Sequence, residues 1–454
     1  MKTQTTLTLR DRIRYIESEI QDQYLNDPSP RPWIVGFSGG KDSTILLQLV
    51  WNVLKGLPPE YRRRRVYVVC NDTLVENPQV VRFIEGVLDR LEVAAAEQYL
   101  PVSVHRTFPE LNDSFWVNLI GRGYPAPNNV FRWCTERLKI KPTTKFILDT
   151  ISQNGEAIIL LGTRRDESAQ RSRSLNRHAT VGQRLRKHML PHAYVYAPVA
   201  ELTTDEVWQY LASVPAPWGG KHHDLITLYR NASGGDCPLV IDTTTPSCGQ
   251  SRFGCWVCTV VKADKSMEAL VDNGAEWMEV FLELRDYLIE TRDNPQDYRS
   301  KYGRDGKLKP DDRWGPYTPE TRAEILRRVL RAQKMLREEW GEEVELISLR
   351  ELMAIQAVWA REPRMPFHVS TLVNEIEPKF VVMNTIEDQR AQLEGQLLLE
   401  ACGGDVGQVE LIQKLVSAYS TKETKLRKRG LEEEFNFHVD EYIKHTLQTE
   451  ETAA

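Results

Sequence analysis

Apolar positions along the chain fall into two periodicities. Leu9, Ile13, Ile16 and Ile20 recur at near-helical spacing and predict a leading helix within residues 1–30, which Asp27-Pro28-Ser29-Pro30 breaks. Short apolar runs bounded by turn residues predict buried strands at Trp33-Ile34-Val35-Gly36, Val66-Tyr67-Val68-Val69-Cys70, Val102-Ser103-Val104, Ala157-Ile158-Ile159-Leu160-Leu161 and Tyr196-Ala197-Pro198-Val199. Helical stretches separate them. One runs from Ile45-Leu46-Leu47 to Leu54 and is closed by Gly56 and Pro58-Pro59; others span 79–98 and, with a capped start, 202–211. This alternation predicts an α/β fold, a parallel sheet with flanking helices. Beyond Pro215 the pattern turns to loops, and 311–454 reads as mostly helical, with long amphipathic helices at 320–339 and 346–361. The expected order is a leading helix (1–30), an α/β domain (31–215), a cysteine-rich lobe (216–310) and a helical C-terminal region (311–454).

A length of 454 residues fits two to four domains, and 41% apolar with 27% charged residues is a globular composition. No apolar run approaches the roughly 18 residues of a membrane span. The first ten residues lack the apolar core of a signal peptide, so a cytoplasmic protein without a membrane partner is expected. In a reducing compartment, seven cysteines point to metal binding or sulfur chemistry rather than disulfides. A net charge of -5 excludes a uniformly basic nucleic-acid coat but allows a local basic groove. Arg62-Arg63-Arg64-Arg65 reads as a solvated face.

The stretch Phe37-Ser38-Gly39-Gly40-Lys41-Asp42-Ser43-Thr44 turns from the first strand into the first helix after it. Gly39 and Gly40 let the backbone approach a phosphate, and the amides at the helix start point to the same place. Ser38, Ser43 and Thr44 offer hydroxyls and Lys41 a mobile charge. Asp42 is either a metal or ribose contact or a helix-start acid favoured by the dipole. The Walker loop is longer and ends in Gly-Lys, so this is not one. Ser38-Gly39-Gly40-Lys41-Asp42-Ser43 resembles instead the PP-loop of ATP pyrophosphatases, which split ATP into AMP and pyrophosphate. The resemblance implies an adenine-nucleotide alpha-hydrolase-like fold, with ATP and Mg²⁺ as cofactors.

Further motifs follow in order. Asn71-Asp72-Thr73-Leu74-Val75-Glu76 leaves the carboxyl end of a strand, where ligands bind in open α/β sheets. Arg132-Trp133-Cys134-Thr135 leads into Arg137-Leu138-Lys139-Ile140-Lys141-Pro142, and Gly162-Thr163-Arg164 ends another strand. With the helix at 202–211, these resemble the phosphoadenylylsulfate (PAPS) reductase superfamily over 31–212. The resemblance implies nucleotide contacts from Asp72, Thr73, Gly162 and Arg164. Basic residues crowd 164–187, at Arg164, Arg165, Arg171, Arg173, Arg177, Arg184, Arg186 and Lys187, and read as the side facing an acidic substrate.

Four cysteines, Cys237, Cys248, Cys255 and Cys258, fall in the loop-rich lobe. Cys255-Trp256-Val257-Cys258 is a metal knuckle, since two intervening residues let both sulfurs face one ion. Spacing alone leaves zinc and an iron–sulfur cluster open. Residues 247–261, with Asp264-Lys265-Ser266, resemble the DndC- and SspD-type sulfurtransferases of DNA phosphorothioate modification, a likeness reaching over 31–300. That resemblance implies a [4Fe–4S] cluster on these four cysteines, with zinc as the alternative. Cys134 is read either as a replacement ligand or as a persulfide carrier whose pKa Arg132 and Arg137 would lower. Cys70 and Cys402 read as packing residues.

The reading as a whole is an ATP-dependent sulfurtransferase. It would adenylylate a DNA backbone phosphate, release pyrophosphate and replace a non-bridging oxygen with sulfur, with Lys41, Cys134 and Arg164 as catalytic residues. Implied partners are DNA, a cysteine desulfurase as sulfur donor and other phosphorothioation subunits. A sulfonucleotide reductase of the PAPS type and an RNA-thiolating PP-loop enzyme are the alternatives; against the first, Cys402 sits well before the end of the chain rather than in a short Glu-Cys-Gly tail.

Overall fold

Side-chain alternation along the strands sets the architecture. In the computed structural model, which describes residues 8–167, 173, 184–231, 254–261, 263–304, 306–310, 313–341, 344–362, 365–377, 386–423 and 431–453, a six-stranded sheet carries helices on both faces. The strands are β1 (Trp33–Gly36), β2 (Val66–Asn71), β3 (Val102–Thr107), β4 (Ala157–Leu160), β5 (Arg186–Lys187) and β6 (Ala193–Tyr196). Their order is β3-β2-β1-β4-β6-β5, parallel throughout except for the antiparallel edge strand β5. Trp33 and Val35 of β1, Val66 and Val68 of β2, and Ile158 and Leu160 of β4 enter one core. Their neighbours Ile34, Val69 and Ile159 enter a second core on the other face, with Ile147 of α4 (Lys141–Asn154). A strand buried on both sides needs such near-continuous apolar runs.

The first core is closed by α1 (Leu9–Asn26), α2 (Lys41–Gly56), α3 (Pro78–Glu97) and α5 (Thr204–Ser213). The expected periodic residues Ile13, Ile16 and Ile20 are the buried face of α1, which Thr8 and Asp11 start as a capping box. The last parallel strand lies three residues before the expected position. Ala193-Tyr194-Val195-Tyr196 pairs with β4, whereas Pro198 has no N–H to give a ladder.

The run at 62–65 divides: Arg63 and Arg65 are exposed, as a solvated face requires, whereas Arg62 and Arg64 are scaffold. Arg62 donates to the carbonyls of Leu57, Lys55 and Gln98. Arg64, 8% exposed, donates to the carbonyls of Tyr24, Ser29 and Arg31 and pairs with the buried Asp27 carboxylate at 3.2 Å.

The chain divides into two compact units. The first joins Met1–Phe115 to Ala126–Asn294 and includes α6 (His223–Asn231), α7 (Lys265–Asp272) and α8 (Glu279–Asp293). The second joins Trp116–Pro125 to Pro295–Ala454 and is helical. In it, α9 (Pro319–Trp340) and α10 (Leu349–Trp359) pack against a π-helical turn, Val117–Gly121, and α11 (Val369–Ile376) packs on both helices. Its freed Ile120 carbonyl accepts from the indole of Trp359 at 3.0 Å and from Arg322 at 2.7 Å. Among the described residues, no helix is long and apolar enough to cross a membrane.

After α5 the loop at 214–222 folds back on α2. Gln48 donates to the Pro215 carbonyl at 3.0 Å, and its own carbonyl lies 2.6 Å from Nε2 of buried His222. Burial pulls the His222 imidazole down to about 4. The folded state therefore keeps it neutral while the unfolded chain gains a proton below about pH 6.5, so its stabilisation is lost as pH falls from 6.5 towards 4. Urea titrations should show the wild type losing roughly 1–3 kcal/mol more than His222→Gln over that interval; parallel curves would assign His222 no such part.

Candidate active site

Parallel strands open a crevice where the chain switches direction, and here that point lies between β1 and β4. The loop after β1 is braced by its own hydroxyls. Ser38 N donates to Ser43 Oγ at 3.2 Å, while Ser43 Oγ and Thr44 Oγ1 donate to the Gly40 carbonyl at 3.0 and 2.9 Å. Gly39 has φ +71°, and a β-carbon there would come within 2.5 Å of Ile84. Gly40 caps α2, whose first amides stay available to an anion.

The loop after β4 presses on the same turn. A β-carbon on Gly162 would lie 2.4 Å from the carbonyl oxygen of Asp42. Arg164 is fully buried; its guanidinium donates to Asp42 Oδ1 at 2.7 Å, the Leu202 carbonyl at 3.0 Å and Thr204 Oγ1 at 3.1 Å. Asp166 accepts from the backbone and hydroxyl of Thr204, which with Arg164 hold its carboxyl below the usual range. Arg164 thus ties the phosphate loop to α5. The basic stretch is partly spent on protein acids: Arg165 pairs with Glu201, and Arg184 with Glu19 and Asp22 of α1. Arg171 and Arg177 lie outside the described residues.

The third wall leaves β2. Asp72 pairs with Arg106 at 3.0 Å. Thr73, fully buried, donates to Glu76 Oε1 at 2.9 Å and lies 3.3 Å from the sulfur of Cys255. The knuckle docks here: Trp256 N donates to the Val75 carbonyl at 3.0 Å, and Glu76 and Cys255 form an antiparallel bridge. Its turn, with Cys258 N donating to the Cys255 carbonyl at 3.0 Å, is the form a metal knuckle takes. Two arginines of α8 hold its backbone. Arg285 donates to the carbonyls of Cys258 (2.9 Å) and Val261 (2.6 Å), and Arg292 to that of Thr259.

Burial, and then the Glu76 carboxylate, push the Cys255 thiol up to about 12 against the opposing pull of Lys139. Charge on Cys255, then Glu76, raises Lys139, which pairs with Glu76 at 3.4 Å. Cys134 starts the π-helical turn Thr135–Ile140. Its pKa is not lowered as expected: burial and charge on Cys258 raise it, opposed by Thr135 and Lys139, while Arg137 is held by Asp113. Cys237 and Cys248 lie outside the described residues; among those described, no three His, Cys, Asp or Glu converge as a metal set. The two thiols of the knuckle suit a soft metal centre as part of a larger ligand set.

One residue at the loop carried no sequence signal. Tyr229 of α6 places its ring 5.5 Å from the Lys41 ammonium, because α6 packs edge-on against Trp208.

Comparison with known proteins identifies a family. The sequence model of one family, the phosphoadenosine phosphosulfate reductase domain, matches residues 32–261. An uncharacterized protein of Methanocaldococcus jannaschii is 28% identical over 232 residues, which cover 51% of this chain and 37% of that protein. Among solved structures, the phosphoadenylyl-sulfate reductase of Candida auris aligns at a TM-score of 0.27 and 13% identity, over 47% of this chain and 90% of that one. The NH3-dependent NAD synthetase of Campylobacter jejuni aligns at 0.30 and 13%, over 64% and 97%.

Gly162→Ala forces a methyl group against the Asp42 carbonyl, so ATP affinity should fall about ten-fold or more in calorimetry, in line with roughly 1–3 kcal/mol of overpacking. Gly56→Ala, where nothing lies within 4 Å, should bind as wild type; equal affinities for both variants would show that the contact does not shape the loop.

Proposed function

The chain belongs to the phosphoadenosine phosphosulfate reductase domain family, and on that premise we propose that it is an ATP-dependent sulfurtransferase acting on a DNA backbone phosphate. The observation that carries this reading is the docking of the Cys255–Cys258 knuckle on the carboxyl end of β2, at the sheet end that bears the phosphate loop. Sulfur meant for a group activated at that loop would have to arrive at this end of the sheet.

In the first step a non-bridging oxygen of the DNA phosphate attacks the α-phosphorus of ATP, and the bond to pyrophosphate breaks. The attacking oxygen is already anionic and needs no general base. Lys41 and the first amides of α2 take up charge on the departing pyrophosphate, with Mg²⁺ as the expected companion. The DNA phosphorus then carries AMP as a leaving group. In the second step the terminal sulfur of a Cys134 persulfide attacks that phosphorus and AMP departs. A second thiol cleaves the remaining S–S bond, releasing the phosphorothioate and leaving a disulfide that an external thiol must reduce. Cys134 is half-buried and close enough to the knuckle to feel charge on Cys258, which places a carrier beside the sulfur-binding residues.

Cys255 and Cys258, completed by Cys237 and Cys248, or with Cys134 in place of Cys237, would hold the [4Fe–4S] cluster, zinc being the alternative. Such a cluster supplies electrons or a bound sulfide when present. The family also contains sulfonucleotide reductases, so phosphoadenylyl sulfate is the competing substrate.

Anaerobically purified protein should contain iron and sulfide. Given ATP, Mg²⁺, DNA, a cysteine desulfurase and L-cysteine, it should release pyrophosphate only with DNA and yield phosphorothioate dinucleotides by mass spectrometry. Cys134→Ser should keep pyrophosphate release while sulfur incorporation falls about 100-fold or more, and Lys41→Ala should lose both. Sulfite from phosphoadenylyl sulfate without DNA-dependent pyrophosphate would identify a reductase instead, and sulfur transfer confined to RNA would identify the third reading.

A further inference from the structure

The Lys41 ammonium is enclosed by protein. Its side chain is 8% exposed, with the Asp42 carboxylate 3.3 Å away on one side and the Tyr229 ring centroid 5.5 Å away on the other. Tyr229 is 6% exposed and stands on α6, outside the loop and the motifs that accompany it. Its ring meets the fully buried Trp208 edge-on at 4.9 Å and 77°, which fixes the direction of its face. Its hydroxyl lies 3.3 Å from the point a Gly40 β-carbon would occupy, so the same side chain reaches the second glycine of the loop. Two parts of one phosphate cradle therefore meet a single aromatic residue.

The Asp42 carboxylate and the Tyr229 ring differ in what they do to an incoming anion. The carboxylate of Asp42 attracts the ammonium but repels phosphate, and Arg164 already neutralises it at 2.7 Å. An aromatic face attracts the ammonium through its quadrupole and carries no net charge to repel a phosphate. It can hold the cation at the loop without itself taking up the N–H donors. We propose that Tyr229 is a positioning residue of the nucleotide site, whose ring face holds the Lys41 ammonium where the pyrophosphate portion of ATP enters. This rests on the reading of residues 38–44 as an ATP phosphate loop.

The test uses the full chain and measures calorimetric affinity for inorganic pyrophosphate and for the non-hydrolysable analogue AMPCPP. Tyr229 is replaced by phenylalanine, by phenylalanine carrying one, two or three ring fluorines, and by leucine. Tyr229→Phe should bind pyrophosphate within about two-fold of wild type, because the ring face remains. Affinity should then fall stepwise with each fluorine, and Tyr229→Leu should be roughly three- to thirty-fold weaker. Adenosine, which carries no phosphate, should bind equally in every variant. A role in packing against Trp208 alone would lower the melting temperature without following the fluorine count. Pyrophosphate affinity that is flat across the series overturns the proposal and leaves the phosphate loop standing. Wild-type protein that binds neither probe overturns the reading of the loop, and the proposal with it.

Discussion

The contact on which the site depends is the one between Gly162 and the carbonyl of Asp42. Strands β1 and β4 are neighbours and parallel, so their following loops emerge side by side. Parallel pairing alone would not make the loops touch; the missing side chain at 162 does, and Arg164 locks the result. With its guanidinium buried, Arg164 needs acceptors for its donors, and it finds them on the loop at Asp42 and on α5 at Leu202 and Thr204. Removing one partner of such a pair leaves a buried charge uncompensated, at a cost of about 3–5 kcal/mol. The loop after β1 is therefore held to the loop after β4 and to α5 by contacts within the protein itself.

The sulfur side is organised by the same logic with different groups. The knuckle is held through its carbonyls by Arg285 and Arg292, and through the Val75 carbonyl by the amide of Trp256. None of these bonds uses a thiol. The backbone of the knuckle is thus shaped independently of what the sulfurs bind, while Glu76 and Lys139 set the local charge that the sulfurs experience. Fixing a ligand backbone in advance lowers the ordering cost of binding a metal.

What could be read from the chain was local in sequence. The glycine turn, the hydroxyls of Ser38, Ser43 and Thr44, the knuckle and nearly every strand depend on neighbours within a few residues, and their patterns carry that information. The destinations of the arginines do not. Arg164 was expected to aim at an anion, and instead reaches back 122 positions to Asp42. Arg64 reads as one of four solvated charges, yet it is buried against Tyr24 and Asp27 because α1 folds across the strand that follows it. Tyr229 has no motif at all; only the packing of its helix on Trp208 brings it to Lys41. The shift at Cys134 has the same origin, since Arg137, three residues away, faces Asp113.

These arginines bear on how an anion is attracted. Among the described residues, Arg62, Arg64, Arg164, Arg165 and Arg184 all donate to protein oxygens, and the whole chain carries a net charge of -5. A positive field around the loop would therefore have to come from basic residues other than these five. A polyphosphate at the loop would meet the amides that open α2 and Lys41 in a partly desolvated crevice, where each interaction is stronger than in water. At such close range the placement of one ammonium matters more than the number of charges nearby.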